Sequence, residues 1–165
     1  IHVWDKEYLN AMSPKTLLER SRYSDRQLGG KLDWKFYKAT DNQWFGFDCV
    51  RAIDPLAPEV LFVPLPGHTA GHCGIAVNTG DEWILHAGDA FMYRGEIDPE
   101  PSCPAGLKMF QDRLAQSRKE RQATLSKLRD LSLKHGSKVK IICSRDPVMF
   151  EDAISGAKKT PVYLR

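Results

Sequence analysis

One run, residues 60–90, constrains this chain more than any other: VLFVPLPGHTAGHCGIAVNTGDEWILHAGDA. It holds two short apolar segments, 60–63 and 83–87, each followed by a glycine and then by a side chain able to ligate a metal. The first leads into Pro66-Gly67-His68-Thr69, the second into Gly88-Asp89-Ala90. Short β-rich runs bounded by Gly and Pro read as buried strands. A histidine and an aspartate at two strand ends can converge on one point, as a metal site requires.

The other histidines differ in weight. His72 lies four residues beyond His68, across Gly71, at the start of the next strand. Flanked by two glycine-permitted turns, neither reads as an ordinary core histidine. Asp89 is a costly residue for a strand end unless it is paired or ligating, because a lone buried carboxylate is strongly disfavoured. His86, inside the second strand, reads as a packing or hydrogen-bonding residue; His2 and His135 carry no signal.

At 165 residues the chain can bury one sizeable core, so one domain spanning 1–165 is expected. With 42% hydrophobic and 27% charged residues it reads as an ordinary globular protein. No apolar run approaches the length needed to cross a bilayer, so no membrane partner is expected. Cys49, Cys73, Cys103 and Cys143 are scattered without a C-x-x-C pair, which argues against a zinc finger and a disulfide framework. A reduced, cytoplasmic protein is the expectation.

Along the chain, residues 1–4 read as a strand, Asp5 as the N-cap of a helix through Met12, and Ser13-Pro14 as the start of another helix ended by Gly29-Gly30. Trp34, Phe36, Trp44, Phe45 and Phe47 suggest an aromatic mini-core beneath a loop, with a strand pair over 44–50. Leu107, Phe110 and Leu114 recur at helical spacing, as do Leu125, Leu128 and Leu131, with Gly136 at the C-cap position. Residues 139–143 form another strand, followed by Ser144-Arg145-Asp146-Pro147. The class is α/β, or a related layered α+β fold.

Together, PGHTAGH, then GDA, then an apolar strand ending in S-x-D-P resemble the metallo-β-lactamase-fold hydrolases from about residue 1 to residue 151. The resemblance implies an αββα sandwich with a metal centre at one edge and hydrolysis by metal-bound hydroxide. It makes His68 a histidine of the first metal site. Asp89 becomes the catalytic aspartate that bridges two metals or ligates one, and His72 a non-ligating histidine orienting the site from behind.

Two departures qualify it. The family's HxHxDH motif, which supplies most remaining ligands, has no counterpart, and no H-x-H occurs anywhere. Ile1-His2-Val3-Trp4-Asp5-Lys6-Glu7-Tyr8 resembles the text that follows that motif. The chain is therefore expected to begin just after it, as a partial sandwich without the N-terminal strands. It would be either a fragment of a longer product or the output of a gene that lost its front half. Second, where the family has a metal-binding histidine, this chain has Arg145 beside Asp146. Arginine offers no lone pair, and a unit charge about 4 Å from a divalent ion is repelled by roughly 8 kcal/mol at an effective dielectric near 20. At most one ion, zinc or else iron or manganese, is expected, and a metal-free site is the alternative.

Three functions follow. One is hydrolysis of an ester, lactone, thioester or related bond of a small-molecule substrate by the intact parent, with Arg145 holding an anionic group. Another is a catalytically inactive remnant that self-associates as a homodimer over the sheet surface the missing strands would cover. The weakest is RNA contact. Residues 113–140 hold nine Lys/Arg against Glu120 and Asp130, a local excess of +7. Such faces are usually only solvated, and no aromatic ring is interleaved to stack on bases.

Overall fold

A computed structural model describes residues 1–24, 28–30, 32–48, 50–56 and 58–157. Its centre is a five-stranded sheet in the order β5-β6-β7-β8-β9, built from Arg51–Ala52, Val60–Pro64, Cys73–Asn78, Trp83–His86 and Val139–Ile142. β5 through β8 pair antiparallel, and β9 joins β8 parallel. A parallel neighbour needs a crossover, supplied here by helices α3 (Ala105–Leu114) and α4 (Arg118–His135).

Alternation along the strands decides which side meets that crossover. Val63, Ala76, Leu85 and Ile141 share one buried cluster with Leu125, Leu128 and Leu131 of α4. The opposite face receives a smaller layer. β1 (His2–Trp4) pairs parallel with β2 (Lys35–Tyr37), and α1 (Asp5–Met12) follows β1 directly. Trp4 and Tyr37 pack on Phe62, with ring centroids 6.4 and 5.1 Å apart, and Ile53 completes that second cluster.

Several sequence expectations shift. α1 is capped by Trp4, so Asp5 lies in its first turn, where its carboxylate accepts from the Lys6 amide at 2.7 Å. α2 (Leu17–Arg22) starts after Thr16 rather than at Ser13-Pro14. The Thr16 hydroxyl accepts from Glu19 N at 3.1 Å and Glu19 reaches back to Lys15 N at 2.6 Å, a variant of the capping box. The strand pair over 44–50 is a short hairpin, β3 (Gln43–Trp44) with β4 (Phe47–Asp48). Trp44 and Phe47 belong to the main core rather than to a separate mini-core, while Phe36 is half exposed against Tyr8. Gly136 is the C-cap of α4, with an ordinary right-handed φ of −58°; a Cβ there would lie 2.6 Å from Ser132 O, so glycine is favoured by that close backbone approach and not by a left-handed turn. β2, β5 and α5 (Pro147–Ala157) are further elements of the fold. Cys49 lies outside the described residues.

Candidate functional site

β6 and β7 continue their ladder beyond the strands, with Leu65 N donating to His72 O at 2.8 Å, so the turn over 66–71 rises from a closed base. Gly67 takes φ +131°, and a Cβ there would lie 2.3 Å from the Arg121 amide nitrogen. Glycine is required on both counts, and the contact seats α4 directly beneath the turn. The turn's polar groups are then fixed from three helices and the α3–α4 link. His68 O accepts from Arg22 Nη1 at 2.6 Å and Gln116 N at 3.2 Å, and Gly67 O accepts from Ser117 N at 3.0 Å. Thr124 Oγ1 donates to Pro66 O at 2.7 Å. Ala70 N donates to Gln116 Oε1 at 2.8 Å, and Gly71 N to Glu7 Oε2 at 3.0 Å. With its backbone held, His68 has little freedom except in its ring.

Asp89 arrives from the neighbouring strand end. β8 and β9 stay paired past their last strand residues, with Ala87 N donating to Ile142 O at 2.7 Å and Ser144 N to Gly88 O at 3.2 Å. Gly88 has φ +58°, and a Cβ there would meet His72 Nε2 at 2.8 Å. The sharp turn therefore delivers Asp89 against both histidines.

The corner holds four side chains. His68 Nε2 lies 3.9 Å from Asp89 Oδ2, both side chains about a quarter exposed. His72 is tied by both nitrogens: Nδ1 to Leu65 O at 3.1 Å and Nε2 to Asp89 N at 3.2 Å. Nε2 can only accept from an amide, so Nδ1 carries the proton and the ring is neutral. Burial pushes His72 below the ordinary imidazole range, over the opposing hydrogen bond to Leu65 and charge of Asp89. His68 is lowered too, by burial first and the Arg22 charge second. Burial alone would raise Asp89, but the hydrogen bond and charge of Arg145, with His68 and His72, hold it below the usual carboxylate value. Arg145 Nε and Nη2 lie 3.3 and 3.5 Å from the two Asp89 oxygens.

His68, His72, Asp89 and Arg145 thus share one corner, whereas Asp146 points away. It is buried, accepts Arg94 N at 2.8 Å and Nη1 at 2.9 and 3.0 Å, and caps α5 through the Val148 and Met149 amides. His86, expected in a strand interior, is exposed at the end of β8, where Nδ1 accepts from Gly88 N at 3.2 Å. Sequence reasoning missed Glu7, Arg22 and Gln116, which secure the turn from 64, 46 and 46 residues away. No local pattern marks contacts of that separation.

The donor set does not by itself fit a metal ion. Two ligands of a tetrahedral zinc, each at about 2.1 Å, stand about 3.4 Å apart, so His68 and Asp89 are within half an ångström of ligating geometry. A catalytic zinc takes three protein ligands and an open position. Here His72 has no free lone pair, and Arg145 supplies only a cation. Among the described residues no group of three or more His, Cys, Asp and Glu is placed to hold a metal. A cavity of about 310 Å³ adjoins the turn, lined by Trp4, Phe47, Pro66, His72 and Lys127 among others, but neither His68 nor Asp89 lines it.

No protein-family model matches the chain. Probable metallo-hydrolases of Mycobacterium tuberculosis and Mycobacterium bovis are each 30% identical to it over 151 residues, 92% of this chain and 49% of theirs. Among solved structures, AiiA of B. thuringiensis with N-decanoyl-L-homoserine at its active site matches with a TM-score of 0.59 at 16% identity, over 99% of this chain and 50% of that one. The β-lactamase-superfamily hydrolase AbOPH gives 0.59 at 17% identity over 90% and 48%, and AidC, a dizinc quorum-quenching lactonase, 0.55 at 16% over 89% and 48%. The architecture is therefore a partial metallo-β-lactamase fold. The chain is similar over 151 residues to curated proteins named as probable metallo-hydrolases and spans about half the length of those relatives.

Proposed function

We propose that these residues form the C-terminal half of a metal-dependent hydrolase acting on an ester, lactone, thioester or related bond of a small molecule. His68 and Asp89 supply two donors to a centre for one zinc, iron or manganese ion, and the remaining ligands come from polypeptide outside these 165 residues. The observation that carries this reading is the approach of His68 Nε2 to Asp89 Oδ2, 3.9 Å, from two strand ends braced by separate hydrogen-bond sets. The relatives named as metallo-hydrolases support it. Within the corner, His68 keeps a lone pair because it is neutral, Asp89 stays ionised, and His72 holds the Asp89 backbone in place.

The test is made on the longest translation product that contains these residues, purified with each metal in turn and offered a panel of esters, lactones, thioesters and phosphoesters. Hydrolysis should fall on Asp89→Asn or His68→Ala by more than the roughly 10–100-fold expected for a supporting residue. A product that hydrolyses nothing on the panel, or is indifferent to both substitutions, sinks the reading.

A second reading, self-association of this chain as a homodimer, is favoured by one observation. The sheet face opposite α4 is covered by Trp4 and Tyr37 at its β6 end, while Val77 and His86 farther along are exposed.

A further inference from the structure

The family's chemistry asks for metal at this corner, and the residues present answer with a fixed organic cation. Arg145 reaches Asp89 with two nitrogens, one toward each carboxylate oxygen, at 3.3 and 3.5 Å. The approach is built into the sheet. Asp89 and Arg145 follow the ends of parallel neighbours β8 and β9, which the Ser144 N to Gly88 O bond holds together beyond the strands. On the other side of the same carboxylate stands neutral His68, facing Oδ2. Asp89 is thus shared between a lone-pair donor and a permanent cation. The adjoining residue Asp146 does not neutralise Arg145, because its own carboxylate is buried and taken by Arg94.

We propose that Arg145 stands in for a metal ion as the cation of Asp89, so that this corner accepts at most one divalent ion, on the His68 side. The guanidinium supplies positive charge and N–H donors but no lone pair. It also repels any divalent ion brought to its own side of the carboxylate. This rests on the hydrolase reading, which takes one ion at His68 and Asp89, and deepens it by giving Arg145, through its contact with both Asp89 oxygens, as the reason a second ion has no place. Metal titration tests it whether or not any bond is hydrolysed.

Four forms of this chain are compared by calorimetric titration with zinc: the parent, Arg145→Gln, Arg145→His, and Arg145→His combined with Asp89→Asn. Arg145 is 58% exposed, so both single variants are expected to fold, and circular dichroism checks each. The parent should bind no more than one equivalent, weakly. Arg145→Gln removes the repulsion while keeping most of the stem, and should tighten zinc binding severalfold. Arg145→His adds a lone pair beside Asp89 and should tighten it at least tenfold, a gain that Asp89→Asn in the same background abolishes. The proposal is overturned if the parent takes two equivalents, or if both single variants, folded, titrate like the parent. Should Arg145→His not fold, the Arg145→Gln titration is decisive by itself: tighter binding upholds the proposal and unchanged binding overturns it.

Discussion

His72 lies between two backbone groups on different strands, Leu65 O at the end of β6 and Asp89 N after β8. That bridge decides its role, because a ring with both nitrogens engaged has nothing left for a ligand. Replacing it by alanine strands a carbonyl and an amide at a largely buried place. Each unsatisfied group costs about 1–3 kcal/mol, so His72→Ala should lose about 2–4 kcal/mol in urea unfolding. A loss under about 0.5 kcal/mol would mean the bridge contributes nothing. At this scale the sequence was informative where chemistry and turn signals coincide. PGHTAGH and GDA place His68, His72 and Asp89 on turns that their glycines announce. It was silent on Arg22, Glu7 and Gln116, whose contacts depend on how α1, α2 and the α3–α4 link fall around the turn. Arg145 and Asp146 show the same limit. They are neighbours in sequence, yet one forks onto Asp89 while the other caps a helix.

Among the elements, α5 depends on Asp146 and α4 on a buried ion pair. Asp146 accepts the Val148 and Met149 amides while holding Arg94, joining the start of α5 to the loop after β8. Burial by itself would raise its pKa, but the hydrogen bonds from Arg94, Met149 and Val148 outweigh that and lower it from 3.8. A depressed folded pKa means that the stabilisation is fully present above the unfolded value. It is lost as pH falls through the folded one, here below about pH 4. Asp146→Asn should therefore be less stable than the parent at neutral pH and lose that difference as the pH falls below 4. A gap in melting temperature that persists unchanged into strong acid would refute it. Asp146-Pro147 is a recognisable helix start, with Asp146 as the cap and Pro147 as the first residue of α5. α3 and α4 were legible because their leucines repeat at helical spacing. β2 and β5 were not, since two or three residues carry no measurable period. The basic excess on α4 also changes meaning in three dimensions. Arg121 pairs with buried Glu96 and with Asp112, Arg118 with Asp112, Lys127 with Asp48 and Lys134 with Asp130. Asp130 already counts within the +7, so Glu96, Asp112 and Asp48 offset three of those charges, which weakens the argument for RNA.

For the molecule as a whole, the sequence was right about layering because the periods of strand and helix are read from local text. How far a face is covered depends on chain that packs from a distance. Direct cross-strand pairs run in two rows across the face opposite α4: Val60, Val77, Ile84 and Lys140 in one, Phe62, Ile75, His86 and Ile142 in the other. The first end of each row lies by the cluster of Trp4, Tyr37 and Ile53, and Phe62 is buried there. Toward β8 the cover thins: Val77 is 38% exposed, His86 is exposed, and Ile84 and Ile142 are only half-buried. β1, for its part, pairs with β2 alone, so its other edge is open among the described strands. Apolar rows beside an open edge favour association, and a second copy is the occupant we propose for this chain alone. At high micromolar concentration, light scattering should give the mass of a dimer. Ile84→Lys sets a charge in the middle of the first row, next to Lys140, and should return the protein to a monomer whose circular dichroism matches the parent. A parent that is monomeric at that concentration, or a dimer that Ile84→Lys leaves intact, would show that this face is not where two copies meet.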